Sequence, residues 1–171
     1  MTENSENKRL KIEFYTVQEI RERLSISTLV FRGYRSICEA SLMELADNGI
    51  RAIELIESPE QYDMADSGSM KHVGQICRNT GIRLAAYHAH KTDFSGGDGE
   101  ALTEEQRQER VGVCRRQIDT MLELGGTLWG CHARETADGV VRKSYEELVR
   151  HVEGTGAVIT IENFPRQGTL V

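Results

Sequence analysis

The chain has 171 residues, 39% apolar and 28% charged, with a formal net charge of −6. That length suits one domain of ordinary size, and no apolar run approaches the roughly 20 residues of a membrane helix. The acidic balance argues against a nucleic-acid partner, which usually shows as a basic excess. Residues 1–11 are polar, lack the apolar core of a signal peptide and read as a disordered leader; residues 12–171 read as a single domain. Cys38, Cys77, Cys114 and Cys131 form no CxxC pair. They are expected to be reduced thiols, packed as small hydrophobes in a cytoplasmic protein.

A repeating pattern follows. Thr16–Glu19 (TVQE) is a capping box, with Tyr15 and Ile20 placed as a hydrophobic staple, and opens a short helix to about Arg23. Leu24–Phe31 is rich in β-branched residues and reads as a strand. Ser36–Glu39 (SICE) reads as a second box, opening a helix that stops at Gly49. Ile50–Ile56 is the next strand, and a helix from about Ser69 to Thr80 stops at Gly81. Ile82–His90 is a third strand, expected over 82–88. Thr103–Gln106 (TEEQ) caps a long helix ending at Gly125, and Gly126–His132 is a fourth strand. Ser144–Glu147 (SYEE) reads as the cap of a short helix ending near Gly154 or Gly156, before a fifth strand over 157–162.

The stop glycines recur at intervals of roughly 30 residues, the length of one strand–helix unit. The one long interval is accounted for by the insertion Lys91–Leu102, which reads equally as a lid and as a solvated excursion. The near-continuously apolar strands predict a parallel sheet buried on both faces, in an α/β protein. Neither GxGxxG nor a Walker loop follows an early strand. Two layouts remain: an open five-stranded sheet, or the first five-eighths of a (β/α)₈ barrel.

In parallel α/β folds the ligand sits at the C-terminal ends of the strands. Those ends carry Glu54, Glu57, His88, His90, His132, Glu162 and Asn163. Alternation places Thr160 with Glu162, opposite Ile159 and Ile161, which should face the helices. It places His88 with Leu84 and Ala86, and His132 with Leu128 and Gly130, opposite Trp129 and Cys131. Two imidazoles and a carboxylate converging on one side suit a divalent transition metal such as Zn, Mn, Co or Fe. An unpaired carboxylate ending a buried strand costs several kcal/mol unless compensated. Metal ligation or acid–base work at Glu162 answers that cost, and so does a salt bridge to Arg134 or Arg166. Glu54 points inward, where it can line the site.

NGIRAIEL, GIRLAAYHAH followed by DFSGGD, a long Arg-containing helix into ELGG, then WGCH and ITIENF together resemble the sugar phosphate isomerase/epimerase group. This is the xylose isomerase-like TIM barrel superfamily, which also holds the endonuclease-four type of abasic-site nuclease. The resemblance runs from about Leu24 to Phe164. It implies a partial (β/α)₈ TIM barrel and a divalent metal (Mn, Mg, Co or Zn) at the C-terminal mouth. Glu162 matches the family's metal ligand and proton-transfer residue at the end of strand five. His88 and His132 match histidines that join the metal cluster in the nuclease branch and occur in many sugar-type members.

The implied function is isomerisation or epimerisation of a sugar or sugar phosphate, by proton transfer through an enediolate. Glu162 and His88 would be catalytic, and Glu162, His132 and His88 metal-binding. Glu54, His132 and Asn163 would meet a small-molecule carbohydrate. The alternatives are an endonuclease-four-like metal-dependent phosphodiesterase, and an inactive or self-associating half-barrel, hence a homo-oligomer. The sugar branch takes further ligands (an Asp, a His and a second Glu) from strands six to eight. The sequence ends at Val171, after strand five, so the resemblance implies an incomplete barrel or fragment.

Overall fold

The computed structural model describes residues 15–33, 35–58, 61–89, 94, 102–133 and 139–163. The expected leader, His90, Arg134, Arg166 and most of the Lys91–Leu102 insertion lie outside the described residues. The elements are helix α1 (Val17–Arg23), strand β1 (Ile26–Ser27), a 3₁₀ turn (Thr28–Phe31), α2 (Glu39–Asp47), β2 (Ala52–Ile56), α3 (Ser67–Thr80), β3 (Arg83–Ala89), α4 (Glu104–Glu123), β4 (Leu128–Ala133), α5 (Gly139–Val152) and β5 (Val158–Asn163).

The five strands are parallel and lie in chain order, β1-β2-β3-β4-β5. A doubly wound sheet reverses its direction of growth at a switch point. This sheet never reverses, so it is a stretch of barrel wall. Gly49, Gly81, Gly125 and Gly156 all have φ between +66° and +85°, the left-handed geometry that glycine adopts without strain at a helix stop. Reciprocal capping boxes open α1 (Thr16 with Glu19) and α4 (Thr103 with Gln106).

Between sheet and helices lies the core. Ile53, Leu55, Leu84, Tyr87, Trp129 and Cys131 meet Met70, Val73 and Ile76 of α3, Val111, Cys114, Ile118 and Met121 of α4, and Leu148 of α5. Beneath it, α4 is tied to α5 by a buried guanidinium. Arg107 donates to Glu104 (2.7 and 2.8 Å), to Glu147 (2.7 Å) and to Ser144 Oγ (3.3 Å).

The opposite face is not buried as expected: Leu128 is 40% exposed and Val158 51%. Among the described residues β1 and β5 are the sheet's edges, and the concave side is open toward β5, whereas His88 on the same side is 8% exposed. Ile159 packs against the core as expected, whereas Ile161, on the same side, is 48% exposed.

Several local readings are corrected. The first strand is two residues long, not eight: Ser27 Oγ accepts from Leu29 N (3.4 Å), and the Thr28 hydroxyl takes the Ile56 N–H (2.9 Å). Side-chain oxygens have replaced the strand ladder there. The α2 cap is Cys38 with Ser41, not Ser36 with Glu39: Ser41 Oγ accepts from Cys38 N (3.0 Å) and donates to Ser36 O (3.0 Å). Helix α3 starts at Ser67, capped by Asp66. The SYEE stretch is helix interior, since α5 opens at Gly139 and Ser144 donates back to Val140 O (2.8 Å).

Candidate metal centre

Strand β3 carries an irregularity that decides which way its histidine points. Ile53 pairs with Leu84, but the next residue, Glu54, pairs with Ala86, so Ala85 is an extra residue. A bulge flips the alternation downstream. Leu84 therefore joins the core face with Tyr87, while Ala86 and His88 take the concave face. The expectation that Leu84 shares a face with His88 is corrected by this bulge. On β4, Trp129 and Cys131 are fully buried in the core, which turns Gly130 and His132 to the concave face.

Cross-strand register then assembles the site. His88 lies opposite Gly130, Gly130 opposite Thr160, and His132 opposite Glu162. His88 and His132 are thus diagonal neighbours, yet their Nε2 atoms are 2.9 Å apart and their rings 4.6 Å between centroids. The His88 ring reaches across Gly130 to do this. A Cβ at Gly130 would lie 3.2 Å from Thr160 Oγ1 and 3.9 Å from His88 Cγ.

Glu162 Oε2 stands 3.7 Å from His132 Nδ1 and 4.0 Å from His88 Nε2. On the far side, Glu54 Oε1 stands 3.6 Å from His88 Nδ1. Both imidazoles are largely buried, whereas the Glu162 side chain is 58% exposed at the mouth. Two imidazole nitrogens 2.9 Å apart cannot both carry hydrogens, so one Nε2 donates to the other.

His88, His132 and Glu162 each offer a ligand atom, all within 4.8 Å of one another. A first-row divalent ion bonds such atoms at about 2.0–2.2 Å, so small side-chain rotations close this set around one ion. Two neutral nitrogens and one carboxylate oxygen are a donor set for Zn, Mn, Co or Fe. Of the residues singled out from sequence, the fold brings Glu54, His88, His132 and Glu162 together. Asn163 ends β5 opposite Ala133. Gly130 was missed as a site residue. Its signal was legible, because a glycine inside a buried strand marks a close approach.

No protein-family model matches the sequence, and no curated protein matches it. Solved structures do match the fold. A sugar phosphate isomerase/epimerase from Parabacteroides distasonis superposes with TM-score 0.59 at 14% identity, over 82% of this chain and 50% of that one. The 3-keto-D-glucoside 4-epimerase of E. coli superposes with TM-score 0.60 at 14% identity, over 83% and 56%. A xylose isomerase-like TIM barrel protein from Mycobacterium smegmatis, in complex with magnesium, gives TM-score 0.60 at 13% identity, over 83% and 55%. The chain spans about half the length of these structures. Its fold is that of a partial TIM barrel. No helix among the described residues is long and apolar enough to cross a membrane.

Proposed function

We propose that this chain carries the metal-binding, proton-transferring part of a sugar or sugar phosphate isomerase/epimerase. The observation behind this reading is the convergence of His88, His132 and Glu162 at the C-terminal ends of three adjacent strands. His88 and His132 would hold the ion from the buried side, with Glu162 at the exposed rim. When bound, such an ion polarises a carbonyl as a Lewis acid. Glu162, open to the mouth, would take the proton from the carbon beside that carbonyl. Giving it to the neighbouring carbon while the hydroxyl proton passes between the two oxygens isomerises the sugar, and epimerisation needs a second acid to protonate the same carbon from the opposite face. Thr160, on the same face one register step inward, offers a hydroxyl to the substrate. The magnesium held by a structure of the same fold supports a divalent ion here.

The test is hydrogen exchange. Ketoses and ketose phosphates are incubated in D₂O with the chain and Mn²⁺, Mg²⁺, Co²⁺ or Zn²⁺, and deuterium at the carbon beside the carbonyl is followed by NMR. Exchange should occur with at least one pair and fall about 100-fold or more in Glu162→Gln. Exchange that survives Glu162→Gln overturns the role of Glu162, and no exchange with any pair overturns the reading.

The close contact of two imidazoles favours one second reading, a metal-dependent phosphodiesterase in which both histidines are ligands and the metal activates water. Metal stoichiometry separates the two. One ion per chain favours sugar chemistry, two or three favour the phosphodiesterase, and the net charge of −6 stands against a nucleic-acid substrate.

A further inference from the structure

We infer that Glu54 is a positioning residue, orienting His88 toward the metal rather than meeting substrate itself. This rests on the His88–His132–Glu162 cluster being a metal centre. The two carboxylates of the site stand in different places. Glu162 lies within 4.0 Å of both imidazoles and belongs to the ligand cluster. Glu54 lies outside that cluster, behind His88, with Oε1 3.6 Å from Nδ1.

An imidazole coordinates a metal only through a nitrogen that bears no hydrogen. His88 turns Nε2 to His132 and Glu162, so for that nitrogen to bind the ion its hydrogen must sit on Nδ1. A carboxylate facing Nδ1 favours that tautomer. At 3.6 Å the contact is electrostatic rather than a formed hydrogen bond, and charge at that range acts on a largely buried ring. With hydrogen on Nδ1, His88 Nε2 accepts from His132.

The backbone makes the arrangement specific. Ile53 and Leu55 are fully buried and lock β2 so that Glu54 faces the concave side. The extra residue Ala85 then sets His88 on the same side. Without that bulge, a β3 that kept Leu84 in the core would turn His88 away from Glu54.

The experiment compares the full 171-residue chain with Glu54→Gln and Glu54→Ala. The first readout is the His88 tautomer, by ¹⁵N-imidazole NMR of metal-free protein. The second is Zn²⁺ affinity by titration calorimetry. The wild type should hold His88 as the Nδ1–H form. In Glu54→Ala the Nε2–H form should grow, and zinc should bind about 10- to 100-fold more weakly. Glu54→Gln keeps an acceptor oxygen and should preserve the tautomer, losing less than about 10-fold. An unchanged tautomer in Glu54→Ala overturns the inference, as does unchanged zinc affinity. A wild type that takes up no zinc sinks the metal reading instead, and a tautomer shift in Glu54→Ala then still upholds the orienting role.

Discussion

Replacing Gly130 with valine should disable the proposed metal centre while leaving the fold standing. A Cβ at this position meets Thr160 Oγ1 at 3.2 Å and His88 Cγ at 3.9 Å. The first contact is relieved by rotating a hydroxyl whose present partner, Trp129 O, is a weak 3.5 Å away. Gly130→Ala should therefore cost no more than about 1 kcal/mol. Valine adds two γ-carbons, each about 1.5 Å beyond Cβ, and its stiff χ1 leaves few ways to turn them aside. One of them would press on the His88 ring. In a closed core that overpacking costs about 1–3 kcal/mol. Here the concave face is open, with Leu128 40% exposed beside the site, so the ring can swing outward. The penalty should appear as lost zinc affinity, by about 10-fold or more since a proposed ligand is displaced, and not as lost stability. Titration calorimetry with Zn²⁺ and thermal melts, on wild type and both variants, check this. Wild-type affinity in Gly130→Val refutes the idea that this glycine lets the imidazoles meet. A large melting-temperature drop with affinity intact refutes the open-face argument.

Arg107→Met should destabilise the chain by about 3 kcal/mol, the low end for breaking a buried ion pair, because Glu147 keeps Arg115 at 3.5 Å. The wild-type contribution should also depend on acid. Burial pushes the Glu147 carboxyl up, but hydrogen bonding and charge from Arg107 outweigh it and hold it below its ordinary 4.5. Hydrogen bonds from Arg107 and Lys143 hold Glu104 lower still. A depressed carboxylate contributes stability in full above its unfolded value, and that stability is lost as pH falls through the folded values. Urea unfolding should therefore weaken progressively below pH 4.5 in the wild type, and less steeply in Arg107→Met; equal slopes would count against the ion pair. Thiol titration should find Cys38 fastest, since it is exposed and Ser41 lowers its thiol by hydrogen bonding. Cys131, pushed up to about 11 chiefly by burial, should react only on unfolding. Fast native labelling of Cys131 would contradict the packing of β4.

The parts legible in the sequence were those written within one helical turn. Thr16–Glu19 and Thr103–Gln106 cap helices through contacts three residues apart, and each stop glycine acts on its own backbone. Where a distant partner intervenes, local reading failed. Leu24–Phe31 has strand composition, but the Thr28 hydroxyl is taken by Ile56 N, 28 residues on. Ser144 looks like a cap, yet it lies inside α5 and accepts from Arg107, 37 residues back. The site was half legible. Alternation alone placed His132 and Glu162 correctly, because β4 and β5 pair without interruption. It put Leu84 on the wrong side because the bulge at Ala85 exists only in the pairing with β2.

The chain-order sheet also bears on how the molecule comes to exist. Each strand's partners are its immediate predecessor and successor, so every pairing closes a loop of about one strand–helix unit, and closure entropy rises only slowly with such lengths. No described pairing waits for a distant stretch of chain. The wall can grow by accretion as the polypeptide emerges from the ribosome, each helix sealing its strand before the next arrives. Fragments cut after β3 or β4 should accordingly show ordered helical signal in proportion to their length, as an array of stacked repeats does.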